Sequence, residues 1–257
     1  MLLIPSTFTG EKRDQKIRIF LISQLARAIV NFRINEVGIY YDPDPKFNSH
    51  ALGRFILKIL KYLNTPPYLR KVAFPKSNDF KEIGVSLPIT AEYHTKKDPY
   101  TYVYILRRGL SNIYFTDGDT TYSIKSKIKL GKNRIFLYDK ENNKLIKISN
   151  AKIYMGYDVF YFNKPFHVLS KRLKRRGYYI IGTSRQGYDI KLVNIPNVNK
   201  IAIAFGSFAR GFEDMYNNYK KFFDIVVNTV PDQNLKTIRT EEAVYYTLSS
   251  LRCRGII

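Results

Sequence analysis

The sequence predicts an α/β protein in which a mostly parallel sheet carries helices on both faces and a small all-β unit is inserted. Three observations support this fold class. Helical and strand patterns alternate in residues 1–87 and again in 159–257, short β-rich runs fill 88–158, and no internal repeat divides the chain. We therefore expect one α/β domain built from both ends of the chain, interrupted by a small barrel of the OB type in 88–158.

The composition indicates a folded protein with a polyanionic partner. Apolar residues make up 45% of the 257 residues, and 43 Lys and Arg against 21 Asp and Glu leave a net charge of +22. Together with a pI near 9.9, this favours nucleic acid over a membrane surface, because no long helix combines an apolar face with a strongly basic one. No apolar run reaches the about 18 residues of a membrane span, and the first residues do not resemble a signal peptide, so we expect no membrane contact.

Cysteine and histidine are too scarce to suggest metal chemistry. Cys253 is the only cysteine, and the three histidines lie far apart, without the spacing of metal ligands. We therefore expect no metal site. A single thiol cannot form an internal disulfide, which favours a reducing compartment and predicts a cytoplasmic location.

Periodicity places the elements of the first part of the chain. Apolar repeats and one β-rich segment predict a helix from Ile17 to Phe32, a strand at 36–42 and a helix from Leu52 to Leu63. Asn48 or Ser49 is suited to cap the second helix. Pro66 and Pro67 end it, because proline cannot continue a helix.

The insertion and the last part follow the same reasoning. Short β-rich runs between turn residues predict strands at 101–107, 112–118, 121–126, 134–139 and 144–149. The last part predicts strands at 178–185, 201–206 and 225–231, and helices at 166–176, near 213–223 and from Thr240. The helix at 166–176 carries the run KRLKRR, which suits RNA phosphates and a solvated face equally well.

Small and polar residues follow three strands of the last part, at the strand ends where open α/β sheets bind ligands. The segments are GTSRQG at 182–187, FGSFARG at 205–211 and NTVPDQNLKTIRTEEA at 228–243. Their glycines allow the backbone to approach a ligand closely. None matches a P-loop or a dinucleotide fingerprint, and each taken alone also fits a plain turn between strand and helix.

Four motifs carry a resemblance to a known family. They are NTVPDQNLKTIRTEEAV, IAFGSFARGF, LNTPPYLRKVAFP followed by GVSLP, and QLARAIVNFRINEVGIYYD. These segments resemble the SPOUT superfamily of trefoil-knotted RNA methyltransferases, and more closely its archaeal and eukaryotic branch with an inserted OB-like barrel. The resemblance extends over nearly the whole chain.

The resemblance implies a C-terminal trefoil knot, a homodimer with the active site at its interface, and S-adenosylmethionine bound in three knot loops. Those loops correspond to 183–187, 205–211 and 228–238. The cofactor-binding residues it implies are Thr183, Ser184, Arg185, Phe205, Gly206, Gly211, Asn228, Val230, Pro231, Gln233, Thr237 and Ile238.

The activity implied is S-adenosylmethionine-dependent methylation of RNA, with ribosomal RNA as the expected substrate and uridine N3 as a candidate acceptor. Arg27, reaching across from the partner subunit, and Arg239 are candidates to stabilise an anionic base, and Glu242 is a candidate to accept its proton. Glu242 is equally suited to stabilise a helix start. Phe208 replaces a proline frequent in the family, which leaves a non-catalytic RNA-binding or ribosome-assembly factor as the alternative.

Overall fold

A parallel sheet organises the larger part of the molecule. The structure is a computed structural model that describes residues 1–128, 130, 134–207 and 210–257. Within these ranges the parallel sheet has six strands, β1 (Leu2–Pro5), β2 (Glu36–Tyr41), β8 (Asp158–Pro165), β9 (Tyr179–Asp189), β10 (Ile201–Ala204) and β11 (Ile225–Asn228). Their spatial order is β11-β9-β10-β1-β2-β8, so both ends of the chain build one sheet, as the sequence predicts.

Helices cover both faces of this sheet, because successive side chains of a strand point to opposite faces. Leu2 and Ile4 join a core with α1 (Gln15–Asn31), α2 (Ser49–Asn64) and α6 (Thr240–Cys253). Leu3, on the other face, packs with α4 (Phe166–Arg175) and α5 (Phe212–Met215). The predicted α/β class with helices on both faces is confirmed.

Two strands of the sheet are missing from the sequence prediction. β1 has four residues, all buried, and such a strand shows no alternation of apolar and polar residues. β8 contains the unbroken run Val-Phe-Tyr-Phe after Asp158, which also lacks that period. Neither segment carries the pattern by which strands are recognised in a sequence.

The helix predicted near 213–223 is wrong. The segment forms the single turn α5 and, after a break, a 3-10 helix at Tyr219–Phe222. Asn218 adopts a left-handed conformation with φ of 53°, which interrupts a helix. The last helix begins at Thr240, as predicted, and Arg239 is its N-cap. Asn48 caps α2 by accepting the Ala51 N–H, as predicted.

A separate antiparallel sheet lies within 88–158. Its strands are β3 (Tyr100–Arg108), β4 (Asn112–Thr116), β5 (Thr121–Lys125), β6 (Ile135–Asp139) and β7 (Lys144–Ile146), in the order β5-β4-β3-β6-β7. The predicted strands are confirmed; β3 is one residue longer at each end than predicted, and the other four are shorter. Among the described residues no pairing joins β5 to β7, so the sheet has two edges, and closure into a barrel stays a prediction.

Asn64, the last residue of α2, joins the two ends of this insertion to the α/β part. Its side-chain amide donates to the carbonyl of Tyr157 at 2.9 Å and accepts from the Tyr93 hydroxyl at 3.0 Å. His94 Nε2 lies 3.1 Å from the Asn64 carbonyl oxygen. The short helix α3 (Pro67–Ala73) follows immediately and packs against β3. One buried amide thus fixes the points where the chain leaves the α/β part and returns.

No helix in the described ranges combines the length and the apolar character that crossing a membrane requires.

Candidate active site

A cavity of about 450 Å³ opens at the carboxyl ends of β9, β10 and β11. This volume falls in the range of about 300–1,000 Å³ that is usual for small-molecule sites. Three chain segments line it: 183–186 from β9, 205–214 after β10 apart from the residues outside the description, and 227–243 around the end of β11 and the start of α6. The cavity therefore lies where the three polar segments of the sequence predict a ligand site.

The first segment is a bulge within β9. Val226 of β11 pairs with Gly182 of β9, and the next β11 residue, Val227, pairs with Tyr188. The residues between them bulge away from β11 and form one wall of the cavity. The chain returns at Gly187, where an added Cβ would lie 2.8 Å from the Asn228 amide nitrogen, so only glycine fits. The predicted loop at 183–187 is this bulge.

Hydrogen bonds hold the first wall to its neighbours. The Ser184 hydroxyl donates to the Glu213 carboxylate at 3.2 Å, and the Thr183 hydroxyl donates to the Ala204 carbonyl at 3.0 Å. Arg185 Nη1 donates to the Lys236 carbonyl at 3.2 Å, which links the first wall to the third. The three walls are thus bonded to one another and do not depend on a ligand to meet.

The second wall bends tightly between Gly206 and Gly211. A Cβ on Gly206 would lie 3.1 Å from the Arg210 carbonyl oxygen, closer than most real Cβ contacts, and a Cβ on Gly211 would collide with the Glu213 carboxylate. The Ser207 amide donates to the Arg210 carbonyl at 3.0 Å. Phe208 and Ala209 lie outside the described residues.

Arg210 is fixed from behind by two acids that follow β2. Its Nη2 lies 2.7 Å from Asp42 Oδ1 and 3.4 Å from Asp44 Oδ2. The Asp42 side chain is fully buried, and the Thr7 hydroxyl donates to its other oxygen at 2.5 Å. Burial raises the pKa of Asp42, and the Thr7 hydrogen bond and the Arg210 charge oppose that shift.

The third wall combines a polar turn with the start of α6. The Asn228 side chain accepts the Val230 N–H at 3.0 Å and donates to the Arg185 carbonyl at 3.1 Å. Thr240, at the first position of α6, donates to the Gly206 carbonyl at 3.3 Å. The third wall is therefore anchored to the first and to the second.

The structure brings together nearly all of the predicted cofactor residues. Every one of them except Pro231 lines the cavity. The lining also includes residues that the sequence did not single out, Gln186, Ser207, Arg210, Glu213, Asp214, Val227, Thr229, Lys236, Thr240 and Ala243. Half of these ten residues lie inside the predicted loops. The signal missed is the acid pair Glu213 and Asp214, which follows Phe212 just beyond the second predicted loop.

The three predicted catalytic residues do not line this cavity. Arg239 and Glu242 lie at its edge on α6, next to the lining residues Thr240 and Ala243, and the Arg239 amide donates to Glu242 at 2.9 Å. Arg239 also forms an ion pair with Glu11 at 2.8 Å. Arg27 is exposed on α1, and its guanidinium donates to the Pro88 carbonyl. Their catalytic roles stay predictions.

Within the part of the chain that the structure describes, no three His, Cys, Asp or Glu side chains are grouped so that they could hold a metal ion.

Family comparison assigns this chain to a class of enzyme. The chain belongs to the family described as "Putative RNA methyltransferase", whose model matches residues 1–251. This membership confirms the predicted methyltransferase, and S-adenosylmethionine is its methyl donor.

Two relatives show what the chain is similar to. A human 28S rRNA (uridine-N(3))-methyltransferase is 26% identical over 97% of this chain and 76% of its own length. An uncharacterized protein of Halobacterium salinarum is 27% identical over 97% of both chains. Among solved structures, a SpoU methyltransferase from Streptomyces viridochromogenes matches with a TM-score of 0.41 and 9% identity, over 99% of this chain and 57% of that one. The chain thus spans little more than half of that structure, and the score is too low to compare the sites.

The residues present fit S-adenosylmethionine, which is cationic at sulfur, carries an amino-acid end and ends in an adenosine. The lining combines apolar side chains such as Phe205 and Ile238 with acids and with Arg185 and Lys236. Bent glycine backbone at Gly206 leaves room that a side chain would fill. A cavity of mixed character is what a zwitterionic ligand with a flat ring requires.

Proposed function

We propose that the protein methylates N3 of a uridine in ribosomal RNA and holds S-adenosylmethionine in the cavity between the three walls. The observation that carries this proposal is the convergence of the three predicted loops on one cavity at the carboxyl ends of β9, β10 and β11. The name of the human relative supports the acceptor atom, and the charge of +22 supports an RNA substrate.

The chemistry assigned to the chain's own residues is modest. S-adenosylmethionine, when bound, supplies an electrophilic methyl group on a sulfonium centre. The walls hold the reacting groups in line, and such positioning accounts for up to about 7–11 kcal/mol in favourable cases. Uridine N3 carries a proton that must leave, so a carboxylate is needed to accept it and a cation to stabilise the anionic base. Glu242, Arg239 and Arg27 are the proposed residues.

Glu242 also caps α6 through the Arg239 amide, and one substitution separates the two roles. Glu242→Gln keeps an acceptor at this position, as in a capping box, but it cannot take a proton. We expect unchanged stability and at least about tenfold slower methyl transfer, which is about 1.4 kcal/mol in the barrier. Normal transfer in this variant would leave Glu242 with the capping role alone. Glu241, whose pKa is raised mainly by burial, would then be the next acid to replace.

We infer a homodimer from the exposed side of α1. Ile17, Phe20 and Arg27 lie at helical spacings of three and seven residues, so they share one stripe, and each is exposed. Exposed apolar side chains grouped on one helix face are typical of an interface. A partner on this stripe would also place Arg27 at the interface, as its proposed action on the partner's site requires.

The dimer is tested by charge insertion in the stripe. Phe20→Glu should yield monomers in multi-angle light scattering, because burying a carboxylate at an apolar interface is costly. Leu192→Glu is the matched control, since Leu192 is also an exposed apolar residue but lies on a different segment. Dimers in both variants, or monomers in the wild type, would reject this interface.

We further propose that α6 threads through the preceding chain as a trefoil knot. We also propose that the antiparallel sheet closes into an OB-like barrel. Residues 88–158 would then form a domain of their own, inserted between 1–87 and 159–257. The packing of α6 against α1, where Tyr245 donates to the Gln24 carbonyl at 3.2 Å, supports a C-terminal segment tucked into the α/β part. A cytoplasmic location is proposed from the single cysteine.

The function is tested by two measurements on the purified protein. Calorimetry should show S-adenosylmethionine binding, and nucleoside mass spectrometry of treated ribosomal RNA should show 3-methyluridine that depends on both protein and cofactor. Binding of RNA without cofactor binding would favour the non-catalytic alternative. Methylation at another atom would retain the enzyme and reject the proposed acceptor.

A further inference from the structure

A group of exposed cations, none of them in an ion pair among the described residues, lies on one side of α4. We name it the α4 basic face, and its exposed members are Lys164, Lys171, Arg172, Arg175, Arg176, Lys200, Lys220 and Lys221. We propose that this face binds the phosphate backbone of the RNA substrate. The proposal rests on the proposed RNA methylation and adds where the RNA lies.

Charge on this face is not neutralised by the protein. In the described ranges none of its members forms an ion pair, and the neighbouring Lys174 alone is paired, with Asp224 at 3.4 Å. α4 itself contains no acidic residue. Some cations elsewhere have acids beside them, as in Lys58–Asp79 and Lys140–Asp98. The α4 basic face instead groups several exposed cations without such partners, which is the pattern that attracts a polyanion.

Aromatic rings support several of these cations without cancelling their charge. Arg172 lies 5.0 Å from the Phe162 ring centre, and Lys221 lies 5.4 Å from that of Phe222. Arg176 and Lys200 lie 5.8 Å and 6.0 Å from the ring of Tyr178. Cation–π contact restricts a long side chain, so less entropy is lost when a phosphate binds. These contacts distinguish the face from freely moving surface lysines.

The face begins beside the cavity and leads away from it. The Phe166 amide, at the start of α4, donates to the hydroxyl of Tyr216 at 3.1 Å, and Tyr216 directly follows α5. α5 itself begins right after Gly211, which lines the second wall. α4 rises about 1.5 Å per residue, so its cations, from Lys171 to Arg175, lie about 8 to 14 Å along the helix from this start.

An anionic membrane is the other polyanion that such a face could meet. Helices that lie on membranes insert an apolar side beneath their basic side. The apolar side of α4 is instead buried against the sheet, with Phe166, Leu169 and Leu173 almost fully covered. With no apolar side left to insert, the geometry favours RNA.

The test compares two triple variants that remove the same charge. The first is Lys171→Gln, Arg172→Gln and Arg175→Gln on the α4 basic face. The control is Arg54→Gln, Lys58→Gln and Lys61→Gln, three exposed cations of α2 on the opposite face of the sheet. RNA affinity is measured between 50 and 200 mM KCl with a transcribed ribosomal RNA fragment, with calorimetry of S-adenosylmethionine alongside.

We expect the α4 triple to weaken RNA binding at least about tenfold and to lower the slope of log K against log salt by about 2 to 3, since each lost phosphate contact removes about 0.7–0.9. The α2 triple should bind RNA within about twofold of the wild type, and cofactor affinity should be unchanged in both. Equal weakening by both triples, or unchanged binding by the α4 triple, would overturn the proposal. The proposal would also be overturned if the α4 triple lost binding to phosphatidylserine vesicles and kept its RNA binding.

Failure of the proposed function has a different signature. A wild type that binds RNA through this face but transfers no methyl group to it would reject the proposed function and retain the RNA-binding face. A wild type that methylates RNA, with an α4 triple that binds and methylates equally well, would reject only the face.

Discussion

Polar groups have different roles at the two edges of the parallel sheet that are formed by the amino-terminal and the carboxyl ends of its strands. At the amino-terminal edge the polar groups form hydrogen bonds with the sheet and its turns. Tyr178 donates to Glu36 at 2.7 Å, and Lys200 donates to the Arg176 carbonyl at 3.2 Å. At the carboxyl edge polar groups surround a cavity, and the acids behind it hold Arg210 rather than the sheet. One sheet thus separates a closed structural edge from an open chemical one.

This difference teaches where a substitution should act. The segments that follow β9, β10 and β11 at the carboxyl edge line the cavity, so a change there alters a ligand site more than the core. Changes at the amino-terminal edge should alter stability and leave cofactor binding intact. Four substitutions test the distinction.

The largest effect is expected from Gly206→Val at the carboxyl edge. The added side chain would press on Arg210 and Gly211 and enter the cavity, so S-adenosylmethionine binding should be abolished in calorimetry while the circular dichroism spectrum stays unchanged. Gly84→Val is the control, because no atom lies within 4 Å of a Cβ there. Undiminished cofactor affinity in folded Gly206→Val would reject the cavity as the cofactor site.

Arg27→Ala should reduce methyl transfer at least about tenfold, or about 1.4 kcal/mol in the barrier, with cofactor binding and dimerisation nearly intact. Arg18→Ala is the matched control, since Arg18 is another α1 arginine that donates to a backbone carbonyl, that of Lys12. Equal losses in both variants would point to α1 structure rather than to catalysis.

A mixture of Arg27→Ala with Gly206→Val tests action across the interface. If each site combines Arg27 of one subunit with the cavity of the other, mixed dimers regain one working site and activity recovers. Heterodimers without activity would mean that Arg27 acts within its own subunit or has no catalytic role.

Asp42→Asn tests the support behind the second wall. Loss of the closer partner should loosen Arg210 and weaken cofactor binding about fivefold, which is about 1 kcal/mol. Asp44→Asn should have less effect, because Asp44 lies farther from the guanidinium, at 3.4 Å. Calorimetry of both variants, with melting curves for stability, checks the order. A larger loss of cofactor affinity with Asp44→Asn would mean that Asp44, and not Asp42, is the main support of Arg210.

The smallest effect is expected at the amino-terminal edge, with Asp158→Asn. Burial, followed by the nearby Glu36 charge, raises the pKa of Asp158 above its ordinary value of 3.8. Between the unfolded-state pKa and the raised folded-state pKa of Asp158, the folded state binds more protons than the unfolded state. The free energy of unfolding therefore falls as pH rises through this range. Asp158→Asn should remove this decrease in the free energy of unfolding, so the variant should be more stable than the wild type at neutral pH by less than about 1 kcal/mol.

Denaturation at several pH values measures this change, with Glu141→Gln in an exposed turn as the control for charge removal. A change in cofactor affinity on Asp158→Asn would contradict the separation of the two edges.

Much of the fold was readable because it depends on local pattern. Helices α1 and α2, the strands of the insertion and the three loops all follow from periodicity and glycine placement. The Arg210–Asp42 pair could not be predicted, since the two residues are 168 positions apart and meet only through the order of the strands. The hydrogen bond between Ser184 and Glu213 could not be predicted either, because these residues also meet only through the order of the strands. Strands without alternation, such as β1, were missed for the reason already given, their burial.

Asn64 gives the insertion an unusual freedom to change in length. The insertion leaves and returns at one residue, with Tyr93 and Tyr157 bonded to the same amide. Its ends are therefore held together whatever lies between them. The entropy of closing such a loop grows only with the logarithm of its length, by about 0.6 kcal/mol per doubling. Evolution can lengthen, shorten or replace the inserted sheet while the cavity, built from strands on the far side of the parallel sheet, stays in register.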